Sequence, residues 1–360
     1  MSPFWLSSPV ESSFPEQDRW PNFVQDHIQK EGSRSSPTQK RQRRYHSLRI
    51  AAESTELSEL EKETNVHSTL DLEGNLQTAH SHEEHWVTLD GARMRYLRDG
   101  SGAALLLVHG LLGYSFSWRF AMPVFAQQAT VYAVDMLGSG FSDRPARLDC
   151  TLRASAERLL GFLDAVGAGS CDLLGTSRGG AVAMMAATLA PDRVRRLILV
   201  APVNPWSARG KRLTVFLSSR AILPLFLLLA PCFKVGHSVF LRRLFGDTRR
   251  IHPGTLQGYS APFAIPGAFE HPLAVLRSWN QDLQELKFVL PRIAHIPTLL
   301  IWGSLDAAVS PASAVQVRQE FKDCRLVMFE GVGHLPYEEV PEEFNRAVLE
   351  FLNRSRLGTL

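Results

Sequence analysis

The stretch "DLLGTSRGGAVA", Asp172 to Ala183, sets Ser177 between glycines at both ±2 positions, directly after an apolar run. That spacing suits one kind of chemistry. Small residues on either side let a strand turn abruptly into a helix, with the serine held in a strained turn at the junction. Its hydroxyl is then exposed, and the amino terminus of the helix faces whatever binds there. A serine hydroxyl is a poor nucleophile at its free pKa, so it needs a base, and the base needs an orienting group. Two later loops carry them. "TLLIWGSLDAAVSP" places Asp306 just past an apolar run, and "FEGVGHLPYEEVPEEF" places His334 in the loop after another. The order Ser177, Asp306, His334 assigns Ser177 as nucleophile, His334 as general base and then acid, and Asp306 as the carboxylate that fixes the imidazole tautomer. An oxyanion forming on the electrophile needs preorganised donors. The backbone N–H of Arg178 is one, and "HGLLG" brings Leu111 or Leu112 beside the site as the other.

Rival residues have simpler explanations. Asp135 and Asp143 bracket "DMLGSGFSD", which reads as a glycine-rich loop shaping the pocket entrance. His109 precedes the serine and is expected to hold the oxyanion loop by hydrogen bonding. His237, His252 and His271 fall in a later insert, where surface positions are expected and a substrate contact is the second reading. The charge on the Arg178 side chain has no explanation at this level.

These residues must be positioned by a sheet. After Glu84, "HWVTLDG" and "ARMRYLRDG" alternate like two strands joined at Asp90 and Gly91. Then come the short apolar runs "ALLLVHG", "TVYAVDM", "CDLLGTS", "RLILVAP", "TLLIWGS" and "RLVMFEG". Stretches with helical spacing, such as "TLRASAERLLGFLDAVGA" and "AVAMMAATLA", lie between most of them. Continuous apolar strands alternating with helices predict an α/β fold, a mostly parallel sheet covered on both faces. Functional residues then sit just past the carboxyl ends of the strands. An insert of roughly 90 residues, 203–296, is too long for a loop and reads as a helical cap.

Composition bounds the remaining classes. The 360 residues are 45% hydrophobic and 21% charged, which is that of a soluble globular protein. A net charge of +3, without a basic stripe interleaved with aromatics, argues against nucleic acid. Cys150, Cys171, Cys232 and Cys324 are scattered, fitting neither a zinc site nor a disulfide framework. They are expected to be reduced, as in the cytoplasm, and "MSPFWLSSPVESS" has no secretory pattern. Residues 1–83 are rich in Ser, Glu, Gln, Pro and Lys and are expected to form a disordered extension. Its "KRQRRYHSLR" run reads as a solvated tail.

The pieces "HGLLG", "DMLGSGFSDRP", "GTSRGG", "GSLDAAVSP" and "GVGHLPYEEVPEEF" occur in an order that resembles the α/β-hydrolase superfamily, in its capped serine-hydrolase branch. The resemblance runs from about Glu84 to Asn353. It implies an eight-stranded sheet with core segments 84–202 and 297–354, and a cap at 203–296 after the sixth strand. It also implies an oxyanion loop at Leu111, with Ser177, Asp306 and His334 as the triad. Relatives that open epoxides or remove halogen place aspartate at the elbow, and the capped epoxide openers raise two cap tyrosines. This chain has serine there, and its insert holds only Tyr259. The expected activity is therefore cleavage of a carboxylic ester through an acyl-enzyme, with no cofactor and no metal. C–C hydrolysis of a dienoic diketone, perhydrolase or haloperoxidase-like activity, and a non-catalytic receptor on the same fold are the alternatives. For C–C cleavage, Arg220, Arg242, Arg243 and Trp279 are the cap residues that could hold a carboxylate.

Within the insert, "LTVFLSSRAILPLFLLLAPCF", Leu213 to Phe233, nearly reaches the length of a membrane span, but Arg220 and Pro224 interrupt it. A span there would also place strands of one sheet on opposite sides of a membrane. The stretch reads as a pair of cap helices lining a pocket for a lipophilic substrate, with peripheral membrane contact as a second reading. Trp206 and Trp279 are candidates for the same pocket, alongside Leu112, with packing within the cap as the equal alternative for the two tryptophans.

Overall fold

The computed structural model describes residues 83–207 and 233–357. The expected amino-terminal extension lies outside them, apart from Glu83, as do Cys232 and the apolar stretch of the insert up to its last residue. Strands β1 (Glu83–Leu89) and β2 (Ala92–Asp99) form the expected hairpin, with Leu89 opposite Ala92. Asp90 and Gly91 both take positive φ, 53° and 75°, which the two-residue turn of a right-twisted hairpin requires.

Six parallel strands complete the sheet: β3 (Ala104–Val108), β4 (Thr130–Val134), β5 (Cys171–Thr176), β6 (Val194–Val200), β7 (Thr298–Gly303) and β8 (Cys324–Phe329). The order is β1-β2-β4-β3-β5-β6-β7-β8, with only β2 running antiparallel to its neighbours. Every residue of β4, β5 and β7 is buried, which is why these strands read as unbroken apolar runs.

The helices divide between the two faces. Before α2 comes the short α1 (Met122–Phe125). Helix α2 (Leu152–Ala165) starts at Thr151, whose side chain accepts the Ala154 N–H. With α3 (Arg178–Leu189) it covers Leu106, Val108 and Val134 on one face. On the other face, Trp118, Phe125, Phe344 and Val348 cover Leu105, Leu107 and Val131, the last two helical residues coming from α9 (Pro341–Leu357). Between β6 and β7 the described part of the insert is helical, with α4 (Phe233–Leu244), α5 (Thr255–Ser260) and α6 (Glu270–Val289). Helices α7 (Ser313–Gln319) and α8 (Pro336–Glu339) follow β7 and β8. No described helix is long and apolar enough to cross a membrane.

Helix α3 lies unusually close to the sheet because its first turn has no side chains there. A Cβ on Gly179 would stand 2.3 Å from the His109 carbonyl oxygen and 2.4 Å from that of Val108. Both obstacles are backbone, so the helix itself would have to move. Gly179→Ala should therefore lower the unfolding free energy by about 1–3 kcal/mol in urea titrations. Gly161→Ala on α2 is the control. Its new Cβ meets only a Leu89 methyl at 3.6 Å, and it should stabilise by about 0.5–1 kcal/mol.

Candidate active site

Ser177 links β5 to α3 with φ 52° and ψ −120°, a conformation that costs a non-glycine residue about 1–3 kcal/mol. The surroundings enforce it. Its N–H donates to the Val200 carbonyl at 2.9 Å, and its own carbonyl accepts the N–H groups of Val203 at 2.9 Å and Gly180 at 3.0 Å. Strand β6 and the turn after it thus hold the residue from one side. On the other, a Cβ on Gly110 would lie 3.1 Å from the Ser177 Cβ, so the loop after β3 packs directly on the serine.

That loop is fixed by His109, which is buried. Its Nδ1 lies 2.8 Å from the Gly110 carbonyl, to which it donates, and its Nε2 accepts the Met136 N–H at 3.0 Å. Burial pushes its pKa below the usual histidine range, in keeping with one N–H and one acceptor nitrogen. Leu111 and Leu112 follow and both line the cavity, Leu112 with φ 64°. Among the described residues, neither the Leu111 nor the Arg178 N–H takes a backbone acceptor. For Arg178 this follows from its place in the first turn of a helix, where no internal acceptor exists.

The Arg178 side chain does not line the cavity. Its Nη2 donates to the Cys150 carbonyl at 2.8 Å and to Ser155 Oγ at 3.0 Å, tying α3 to the start of α2. Burial lowers its pKa, while the negative charge of a Cys150 thiolate or of the Asp282 carboxylate on α6 would act the other way. The charge left unexplained by the sequence is therefore a buried cation that organises the elbow from behind. Asp282 is itself pushed above the usual carboxylate range by burial, and it accepts the Ser278 hydroxyl at 2.7 Å.

Two loops converge on the serine's cavity. His334 Nδ1 donates to Asp306 Oδ2 at 2.7 Å, while Asp306 Oδ1 accepts the N–H groups of Ala308 at 2.7 Å and Val309 at 2.9 Å. With its proton on Nδ1, the neutral ring leaves Nε2 as an acceptor. The His334 loop is in turn anchored by Glu339, which accepts the N–H groups of Gly333 at 2.7 Å and Gly246 at 3.0 Å. The rival Asp135 is fully occupied elsewhere. It accepts the N–H groups of Ser115 and Phe141 and pairs with Arg95, so it braces the loops after β3 and β4. Asp143 pairs with Arg93 at the surface.

Ser177 and His334 share one cavity of about 200 Å³, whose walls include Leu111, Leu112, Val203, Phe240, Leu241 and Trp279. Trp206 is not among its lining residues. Asn204 turns the chain there, its Oδ1 accepting the Trp206 N–H, and the indole packs half-buried against the core. Of the three insert histidines only His252 is exposed, while His237 is buried and His271 half-buried. His237 on α4 lines the cavity at 4% exposure. His271 sits behind the site, its Nδ1 3.3 Å from the Cys150 thiol. The sequence left a substrate contact open for all three but could not select His237, because a helical insert has no strand ends to mark which side faces inward. Tyr259 also lines the cavity, its hydroxyl 2.8 Å from Glu338 Oε1 and 3.1 Å from Ser117 Oγ. Arg119 holds that carboxylate with two bonds, at 2.5 and 2.6 Å. No group of three or more potential metal ligands occurs among the described residues.

A family model described as the alpha/beta hydrolase family matches residues 105–347. Epoxide hydrolase 1 of Caenorhabditis elegans is 26% identical, the match covering 76% of this chain and 70% of that protein. Haloalkane dehalogenase 2 of Mycobacterium tuberculosis is 27% identical over 74% of this chain and 94% of its own. Among solved structures, a bacterial membrane phospholipase A superposes with a TM-score of 0.59 at 26% identity, covering 76% of this chain and 87% of that one.

His237, buried, and His271, half-buried, make stability depend on pH. Burial pushes His237 from 6.5 down to about 4, and burial with nearby Arg178 pushes His271 down to about 3. Below about pH 6.5 the unfolded chain takes up protons on these rings and the folded protein does not. Stability should therefore be highest above that pH and fall as pH drops toward 4. His271→Gln should flatten the slope of unfolding free energy against pH in that window. An unchanged slope would contradict the assignment.

Proposed function

The chain belongs to the alpha/beta hydrolase family, and from that premise we propose that it is a cofactor-independent serine hydrolase cleaving a carboxylic ester or related acyl compound of a lipophilic substrate. The observation that carries this is the 2.7 Å pair of His334 and Asp306 at a cavity that Ser177 also lines.

Ser177 Oγ attacks the carbonyl carbon while His334 Nε2 takes its proton. The negative charge moves to the carbonyl oxygen, where the N–H groups of Arg178 and Leu111 receive it. Each such donor contributes about 2.7–4 kcal/mol to the transition state. The oxyanion collapses, the bond to the alcohol breaks, and His334 returns its proton to the leaving oxygen. An acyl group is left on Ser177. Water, deprotonated by His334, then attacks the same carbon, and the acid leaves as Ser177 recovers its proton. Asp306 stabilises the imidazolium in both halves without taking the proton itself.

The apolar walls support a lipophilic substrate, and the name of the phospholipase relative supports an acyl ester. The relatives named for epoxide and halide chemistry do not extend that chemistry here, since Ser177 stands where those reactions need a carboxylate nucleophile. C–C cleavage of a dienoate would want a cation in the pocket. Arg242 and Arg243 are exposed, and no arginine is among the described lining residues. Val239 and Phe240 are exposed on α4 beside the cavity, which supports substrate delivery by peripheral contact with lipid. The free thiols of Cys150, Cys171 and Cys324 suit a cytoplasmic location.

A fluorophosphonate probe should label the wild-type protein, and Ser177→Ala should abolish labelling. Ser177→Ala and His334→Ala should each lower kcat on an aryl ester by at least about 10⁴-fold with the fold retained. Asp306→Asn should cost about 10⁴-fold by favouring the wrong tautomer. A wild-type protein that stays unlabelled with an accessible pocket would overturn the proposal.

A further inference from the structure

The polar groups of the cavity are not all used by the reaction above. His237 comes from α4, in the insert, and its ring is 4% exposed against the cavity. Its one polar contact among the described residues is Nδ1 to Ser260 Oγ at 3.3 Å, with the Phe263 ring packed on it edge to face at 4.6 Å between centroids. The tautomer follows from Ser260. That hydroxyl has one proton, and it donates to the Leu256 carbonyl at 2.8 Å. Ser260 Oγ can then only accept from the ring, which places the imidazole proton on Nδ1. Nε2 is left as a lone-pair acceptor with no partner among the described residues. Burial holds the ring neutral, at about 4, so it does not become a donor near neutral pH.

Nε2 keeps access to solvent, so a ligand that fills the cavity without a donor there would displace water and leave the acceptor unpaired, a cost that a matching donor avoids. Among the described lining residues of the insert, the Tyr259 hydroxyl is already held by Glu338 and Ser117, and the Ser207 hydroxyl donates to the Asn204 carbonyl at 2.7 Å. We propose that His237 Nε2 is a specificity determinant, and that the substrate is an uncharged acyl compound carrying a hydrogen-bond donor, a hydroxyl or amide N–H, on the part lying against the cap. This rests on the hydrolase reading for the acyl group, whereas the donor requirement rests on the geometry of His237 alone. A carboxylate in that place is disfavoured, because it would face a lone pair.

The test uses matched esters in which a terminal hydroxyl replaces a terminal methyl, on the acyl side and on the alcohol side, across a short series of chain lengths. Affinity is measured with Ser177→Ala, and kcat/KM with the active protein. At the chain length that reaches His237, the hydroxyl-to-methyl ratio should fall about tenfold in His237→Phe, and His237→Gln, which keeps an acceptor, should retain it. The change should appear in KM and in binding rather than in kcat. Binding of the methyl ester reports an intact pocket, and His237→Leu replaces His237→Phe if the larger ring blocks it. A ratio unchanged by removing the acceptor at every chain length overturns the inference. If no ester is turned over, the hydrolase reading fails, and the binding ratio in Ser177→Ala still decides the role of His237.

Discussion

Everything at the site depends on how closely the turn between β5 and α3 can approach its neighbours. Ser177 is held at positive φ by β6 and packed upon by the loop after β3, and Gly175, Gly179 and Gly180 leave no room for a Cβ. A Cβ on Gly175 would lie 2.4 Å from the Gly179 carbonyl oxygen, and one on Gly180 would lie 2.7 Å from the Pro202 ring. The glycines thus set the distance between strand and helix. With that distance set, the loop that carries Gly110 and Leu111 packs on the serine at one cavity. Strain in one residue is offset by contacts from β6 and from the loop after β3.

A second feature is the amount of buried charge used to hold loops rather than to do chemistry. Asp135 braces two strand-end loops, Glu339 anchors the His334 loop, and Glu338 with Arg119 fixes Tyr259 of the insert. Arg178 does the same from behind the elbow, with Asp282 of α6 as its nearby counter-charge. Such groups are costly to bury unless paired and hydrogen-bonded, and removing one partner leaves the other exposed to that cost. The same packing that positions the loops also connects the insert to the helix that follows Ser177.

How much of this was legible in the sequence varied with the kind of element. Strand runs such as "ALLLVHG" and "CDLLGTS" are apolar on both faces, so the parallel sheet and the loops at its strand ends could be read directly. Asp306 and His334 followed from their places after β7 and β8. Asp-Gly at 90–91 fixed the hairpin turn. The insert was legible only as helical, because amphipathic helices packed on two sides give no unique inward face. That is why the sequence leaves His237 and His271 between the surface and a substrate contact, and Trp206 and Trp279 between pocket and packing. The Arg178 side chain could not be read at all, since its partners at Cys150 and Ser155 are set by packing between α2 and α3.

The central claim is that an acyl group passes through Ser177. The most direct measurement is mass spectrometry of the protein quenched during turnover of an aryl ester, with the modified peptide sequenced. The account predicts a mass increase equal to the acyl group on the peptide containing Ser177, lost on further incubation and absent from Ser177→Ala. Turnover with no such adduct, or with the acyl group on another residue, would contradict it.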